Sequence, residues 1–172
     1  EITDYTSSTA KVGGTVSDDG GNTVTQRGVY WGLYTNPKLT GTKLVIGSGK
    51  GVFSQTISGL NRAISYYVVA FATNIKGTSY GAEIRFTTTP ELPTISTYAA
   101  SSITSSSAKL GGEITSSGGA TITERGIYWG NIPNTQTTGT KVAIGTGTGT
   151  FSSTIESLSP GTTYFFTTYA IN

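Results

Sequence analysis

Short runs in which apolar and polar residues alternate at every second position, separated by glycine-rich turns, recur along the 172-residue chain. That period belongs to half-buried strands rather than helices. In the first half the runs predict strands over 9–16, 23–32, 43–46, 52–57, 65–73 and 82–88, and no helical period interrupts them. Strands at this spacing indicate an all-β sandwich. The run Tyr66 to Ala72 is apolar at nearly every position, as a central strand covered on both faces would be. Asp18-Asp19-Gly20-Gly21 and Ser116-Ser117-Gly118-Gly119 fall between strands, where glycine can supply positive φ, so a tight hairpin turn is expected at each.

The pattern is duplicated. At an offset of 98 residues, Ala10-Lys11 falls on Ala108-Lys109, Arg27-Gly28 on Arg125-Gly126, Tyr30-Trp31-Gly32 on Tyr128-Trp129-Gly130, Phe53 on Phe151, and Tyr66 on Tyr164. No gap is needed, and nearly half of the aligned positions are identical. The second copy repeats the first five strands. Pro90-Glu91-Leu92-Pro93 lies between the copies, and its prolines stiffen the chain. Two domains are therefore expected, 1–90 and 91–172.

Composition narrows the function classes. Only 12% of residues are charged, whereas serine and threonine together number 53, so hydroxyls rather than charges wet the surface. The recurring aromatic and β-branched residues argue against disorder. A net charge of +2 without a basic cluster lacks the electrostatic footprint of a nucleic-acid binder. No apolar run approaches the ~20 residues of a membrane-spanning helix. The chain starts at Glu1 without methionine or a signal-peptide pattern, as a processed or partial chain would.

Histidine and cysteine are both absent, which excludes imidazole triads, thiol nucleophiles, disulfides and ordinary zinc sites. Paired carboxylates could still hydrolyse glycosides, but no acid recurs: Glu113, Glu124 and Glu156 align with Thr15, Gln26 and Ser58. No enzyme, cofactor or metal is expected. Asp18 and Asp19 read as a solvated turn rather than a calcium site. Gly47-Ser48-Gly49-Lys50-Gly51 and Gly145-Thr146-Gly147-Thr148-Gly149 precede strands rather than the helix a phosphate loop requires, so they read as hairpin loops. Lys11/Lys109, Arg27/Arg125 and Lys43/Lys141 read as stems laid over sheet aromatics, with a binding stripe as the alternative. Tyr30 and Tyr128 are the candidates for glycan contact, although alternation sends each Tyr-Trp pair to opposite faces, so that one member of each belongs to the core.

Leu158-Ser159-Pro160-Gly161-Thr162-Thr163-Tyr164, Ala72-Thr73-Asn74 followed by Gly77 and Gly81, Phe86-Thr87-Thr88, and Arg27-Gly28-Val29-Tyr30-Trp31 together resemble the bacterial fibronectin type III and immunoglobulin-like repeats, especially those of large surface and secreted proteins of the Bacteroidetes. The resemblance covers nearly the whole chain. It implies a non-enzymatic extracellular or cell-surface module, with Tyr66 and Tyr164 in the tyrosine corner of such sandwiches. The tryptophan lies late in the third strand of the family pattern rather than in its second, a departure from the animal-type layout.

The copies differ at their outer ends. By the offset, the first has no counterpart of Pro93 to Tyr98, and the second none of Thr78 to Thr88. A sandwich lacking its closing strand invites pairing. Glu1-Ile2-Thr3 resembles Glu83-Ile84-Arg85, and Tyr5-Thr6 echoes Phe86-Thr87. The expectation is a fibre subunit assembled head to tail, with residues 1–9 of one copy added beside the last strand of the next. Its interface would be Glu1, Ile2, Thr3, Tyr5, Tyr164, Phe166, Tyr169 and Ile171. The partner is then the chain itself, with surface glycans as a further partner. The alternatives are a slice of a tandem array whose missing strands are covalent neighbours, or a spacer or carbohydrate-binding accessory module of a secreted polysaccharide-degrading enzyme or tandem-repeat adhesin.

Overall fold

The structure is a computed structural model that describes residues 2–172. The chain forms two compact units, Glu1–Pro90 and Glu91–Asn172. Each is an all-β sandwich of two antiparallel sheets.

In the first unit β1 (Thr9–Val16) pairs with β4 (Gly51–Ser58). Facing them is a sheet in the order β3-β2-β5-β6, built from β2 (Gln26–Gly32), β3 (Thr42–Gly47), β5 (Ser65–Asn74) and β6 (Gly77–Thr87). All pairings are antiparallel. Alternate residues of the two sheets meet in one core containing Val12, Val29, Ile57, Leu60, Tyr66, Val68 and Phe86. β5 lies between β2 and β6 and is buried on both faces: Tyr66 and Val68 face the core, while Val69 and Phe71 are covered on the other side.

The second unit pairs β7 (Thr94–Thr97), β8 (Ala108–Ser116) and β11 (Gly149–Ile155) in the order β11-β8-β7. Its other sheet runs β10-β9-β12, from β9 (Glu124–Gly130), β10 (Thr140–Gly145) and β12 (Phe165–Ile171). The core gathers Leu110, Ile114, Ile122, Ile127, Phe151 and Ile155. Among the described residues nothing in this unit takes the place of β6, so β12 is an edge strand.

Two local expectations require correction. The Asp18–Gly21 and Ser116–Gly119 loops are not hairpin turns. β1 and β2, like β8 and β9, belong to different sheets, and the loops cross between them. The positive φ is real, at 63° and 72° for Gly20 and Gly21, but it bends a crossover instead of closing a ladder. The chain also contains single helical turns, α1 (Pro37–Thr40) and α2 (Thr135–Thr138), too short to display a 3.6-residue period. Asn36 and Asn134 open them at φ 59° and 63°, a conformation asparagine tolerates.

Candidate assembly interface

Every position of β12 can be read against β5, because the 98-residue offset keeps the two strands in the same place within their units. In the first unit the closing strand β6 covers β5, with Tyr66 opposite Phe86 and Val68 opposite Ile84. Leu60, Tyr66 and Val68 are there 5%, 4% and 3% exposed. Their counterparts Leu158, Tyr164 and Phe166 are only partly buried. Together with Ile103, Leu110 and Trp129 they line a cavity of about 400 Å³ in the second unit. The cavity lies at the residues equivalent to those around Phe86. Trp129 also carries a buried indole N–H without an acceptor.

Tyr164 and Phe166 thus belong to this groove. Tyr164 is fixed by its tyrosine corner, in which its hydroxyl oxygen accepts the Ser159 N–H at 3.0 Å, just as Tyr66 accepts from Asn61 at 2.9 Å. Strand alternation sends Tyr169 and Ile171 to the opposite face. The Tyr169 hydroxyl donates to Glu124 Oε1 at 2.7 Å, its ring packs on Tyr128 at 4.8 Å, and Ile171 is exposed. Lys141 forms an ion pair with Glu124. Its hydrogen bond, followed by that of Tyr169, holds the Glu124 carboxyl below the usual carboxylate range. Burial, reinforced by Glu124, pushes the Tyr169 phenol up.

The amino-terminal residues lie on their own unit. Ile2 packs against the first core, and Thr3 exchanges two backbone hydrogen bonds with Lys11, at 3.2 and 3.1 Å. Tyr5 stands 5.9 Å from the Phe86 ring. Glu1 lies outside the described residues. The equivalent bridge in the second unit joins Ser101 to Lys109, and there β7 adds a strand that has no counterpart among the described residues of the first unit. Thr97 of β7 reaches β12, where its Oγ1 accepts the Thr168 N–H at 3.3 Å and lies 2.7 Å from Thr168 Oγ1.

The candidate glycan tyrosines face outward while Trp31 and Trp129 pack against the cores. Tyr30 lies 5.2 Å from Phe71 and 6.3 Å from Tyr80, and Lys43 Nζ stands over the Phe71 ring at 4.7 Å. Lys141 covers Tyr169 in the same manner at 4.9 Å. Arg27 and Arg125 lie over Phe53 and Phe151. Each also donates from Nη1 to three successive loop carbonyls, those of Gly49, Lys50 and Gly51 or of Gly147, Thr148 and Gly149. Loops that turn their carbonyls onto a cation are the reverse of a phosphate cradle, in which the N–H groups converge. Asp18 and Asp19 accept from the N–H groups of Gly20 and Gly21 within their own turn, at 2.9 and 3.1 Å. Lys11 takes its place on β1 at the Thr3 bridge.

No protein-family model matches the sequence, and no curated protein matches it. Among solved structures, a segment of two fibronectin type III domains from chicken tenascin aligns over 99% of this chain and 95% of that chain, with 15% identity and a TM-score of 0.44.

Proposed function

We propose that the chain is a non-catalytic structural subunit of an extracellular fibre, assembled head to tail by strand donation. In this reading residues 1–9 of one copy lie along β12 of the next. The observation that carries it is the second unit's open edge, where Leu158, Tyr164 and Phe166 are partly exposed at positions buried in the first unit. An unpaired strand beside an apolar groove is a template for strand addition. A donor and an acceptor on opposite ends of one chain form a heterologous contact, which propagates unless rotation closes it.

Donation has a cost, since the donor must leave the Lys11 bridge and the Phe86 ring. Those contacts favour a second reading, a spacer in a longer tandem array whose neighbouring sequence supplies the strand. Deleting residues 1–9 separates the two. Strand donation requires the deleted protein to remain as short soluble species by electron microscopy and sedimentation, and unchanged filaments would sink it. A carbohydrate-binding accessory role draws its support from the outward Tyr30 and Tyr128. It requires glycan-array binding that disappears in Tyr30→Ala and Tyr128→Ala.

A further inference from the structure

Because the two units repeat position by position, the first unit's closing strand reports what the second unit's groove is shaped to hold. Phe86 is 7% exposed, with its ring 5.7 Å from that of Tyr66. Two residues later Thr88 is 1% exposed. Its backbone N–H donates to Ile64 O at 3.1 Å. Its hydroxyl donates to Asn61 O at 2.6 Å while accepting the Ile64 N–H at 3.0 Å. By the 98-residue offset the receiving groups recur as Tyr164, Thr162 and Ser159.

We propose that the groove beside β12 selects its occupant by sequence: it takes an extended segment antiparallel to β12, with a large apolar side chain opposite Tyr164 and a threonine two residues later. This deepens the strand-acceptor reading and rests on it. The apolar side chain fills the cavity of about 400 Å³ lined by Ile103, Leu110, Trp129, Leu158 and Phe166. Threonine is specified because a hydroxyl donates and accepts at once, meeting the Ser159 carbonyl and the Thr162 N–H together. Valine has the same shape but leaves both unpaired.

A third element of the code is a bulge. The β5–β6 register shifts between Val69 and Phe71, around Ala70, and at the equivalent Thr168 the backbone N–H is already bound to Thr97. An occupant with a bulge at that point passes Thr168 without needing its N–H. β6 together with the Thr88 that follows it carries all three features, and the occupant is accordingly a segment of the β6–Thr88 type. Within residues 2–9 the apolar-x-hydroxyl pattern occurs once, as Tyr5 and Ser7, and Tyr5 is already placed against Phe86.

The test titrates the 172-residue protein with a synthetic Gly77–Thr89 peptide, reading backbone amide shifts of β12 by NMR and affinity by calorimetry. The expected result is a perturbation running along 164–170. Peptides carrying Phe86→Ala or Thr88→Val should each bind about tenfold or more weakly, from the emptied cavity and the unpaired backbone groups respectively. Equal binding by the three peptides overturns the sequence code and leaves strand acceptance standing. No shift in β12 with any of them overturns both. A 2–9 peptide that binds only while Tyr5 is intact supports the code and identifies a second donor. Tight 2–9 binding that survives Tyr5→Ala overturns it.

Discussion

Ser157 and Gly59 occupy the same place in the two copies, with φ of 60° and 75°, and Ala63 and Gly161 form a second such pair at 55° and 67°. The left-handed region costs a residue with a Cβ about 1 kcal/mol or more, partly offset by the greater freedom glycine has in the unfolded chain. Ser157→Gly and Ala63→Gly should therefore each stabilise their own unit by up to about 1 kcal/mol, measured by urea unfolding. A second residue-scale difference concerns charge. Glu124 stands where the first unit has Gln26, and Lys141 with Tyr169 depresses its pKa in the folded state. A depressed carboxylate contributes stability that is present above its unfolded pKa and lost as pH falls through the folded value. The second unit should accordingly lose stability on acidification below the ordinary carboxylate range, and Glu124→Gln should flatten that dependence. Unfolding midpoints at neutral and acid pH, with and without the substitution, check it. Neither feature was legible from sequence alone. Positive φ at Ser157 and Ala63 shows only once the backbone is folded, and the partners of Glu124 come from two other strands.

At the scale of elements, the strands are legible in the sequence, while the crossovers and the single helical turns are not. β1 is found at the expected residues, and the two-sided apolar run correctly indicated that β5 is internal, because its composition reflects cover on both faces. The glycines at 20 and 118 signal a turn, but positive φ says only that the chain turns and not which sheet it enters next, so the crossovers are not legible as such. The tyrosine corners follow from the motif resemblance, and alternation puts one member of each Tyr-Trp pair in the core, which the structure shows to be the tryptophan. The carbonyl clamp by Arg27 and Arg125 is not legible in the sequence, because carbonyls of a glycine-rich loop carry no side-chain signal, although both stems lie over sheet aromatics as expected. The clamp yields a prediction. Arg125→Met keeps an apolar stem over Phe151 and removes the donor to Gly147, Thr148 and Gly149. The second unit should lose about 1–2 kcal/mol, with hydrogen exchange accelerated at the amides of the β10–β11 loop and little changed in the first unit.

At the scale of the molecule, duplication gives each unit an internal control for the other, and the strongest use of that control is to complete the second unit with a strand known to complete the first. Asn74 ends β5 with its side-chain amide donating to Asp19 O at 2.8 Å, and the hairpin to β6 opens with the Lys76 N–H bound to Asn74 Oδ1 at 2.8 Å. Asn172 repeats the first of these bonds, donating to Ser117 O at 2.7 Å, so its side chain is held as that of Asn74 is. Appending a copy of residues 75–89 after Asn172 should let that segment pair with β12 as β6 pairs with β5. Tethering makes the pairing intramolecular, at an effective concentration in the millimolar range for a short link. Burial of one phenylalanine in a prepared cavity contributes about 3 kcal/mol. The second unit should therefore melt several degrees higher, its Tyr164 and Phe166 should become protected from solvent, and alanine at the appended equivalent of Phe86 should abolish most of the gain. The same extension should also block any strand added in trans. If residues 1–9 of one copy do enter the groove of the next, the extended protein stops forming filaments, whereas filaments that persist with the groove filled place the fibre contact elsewhere.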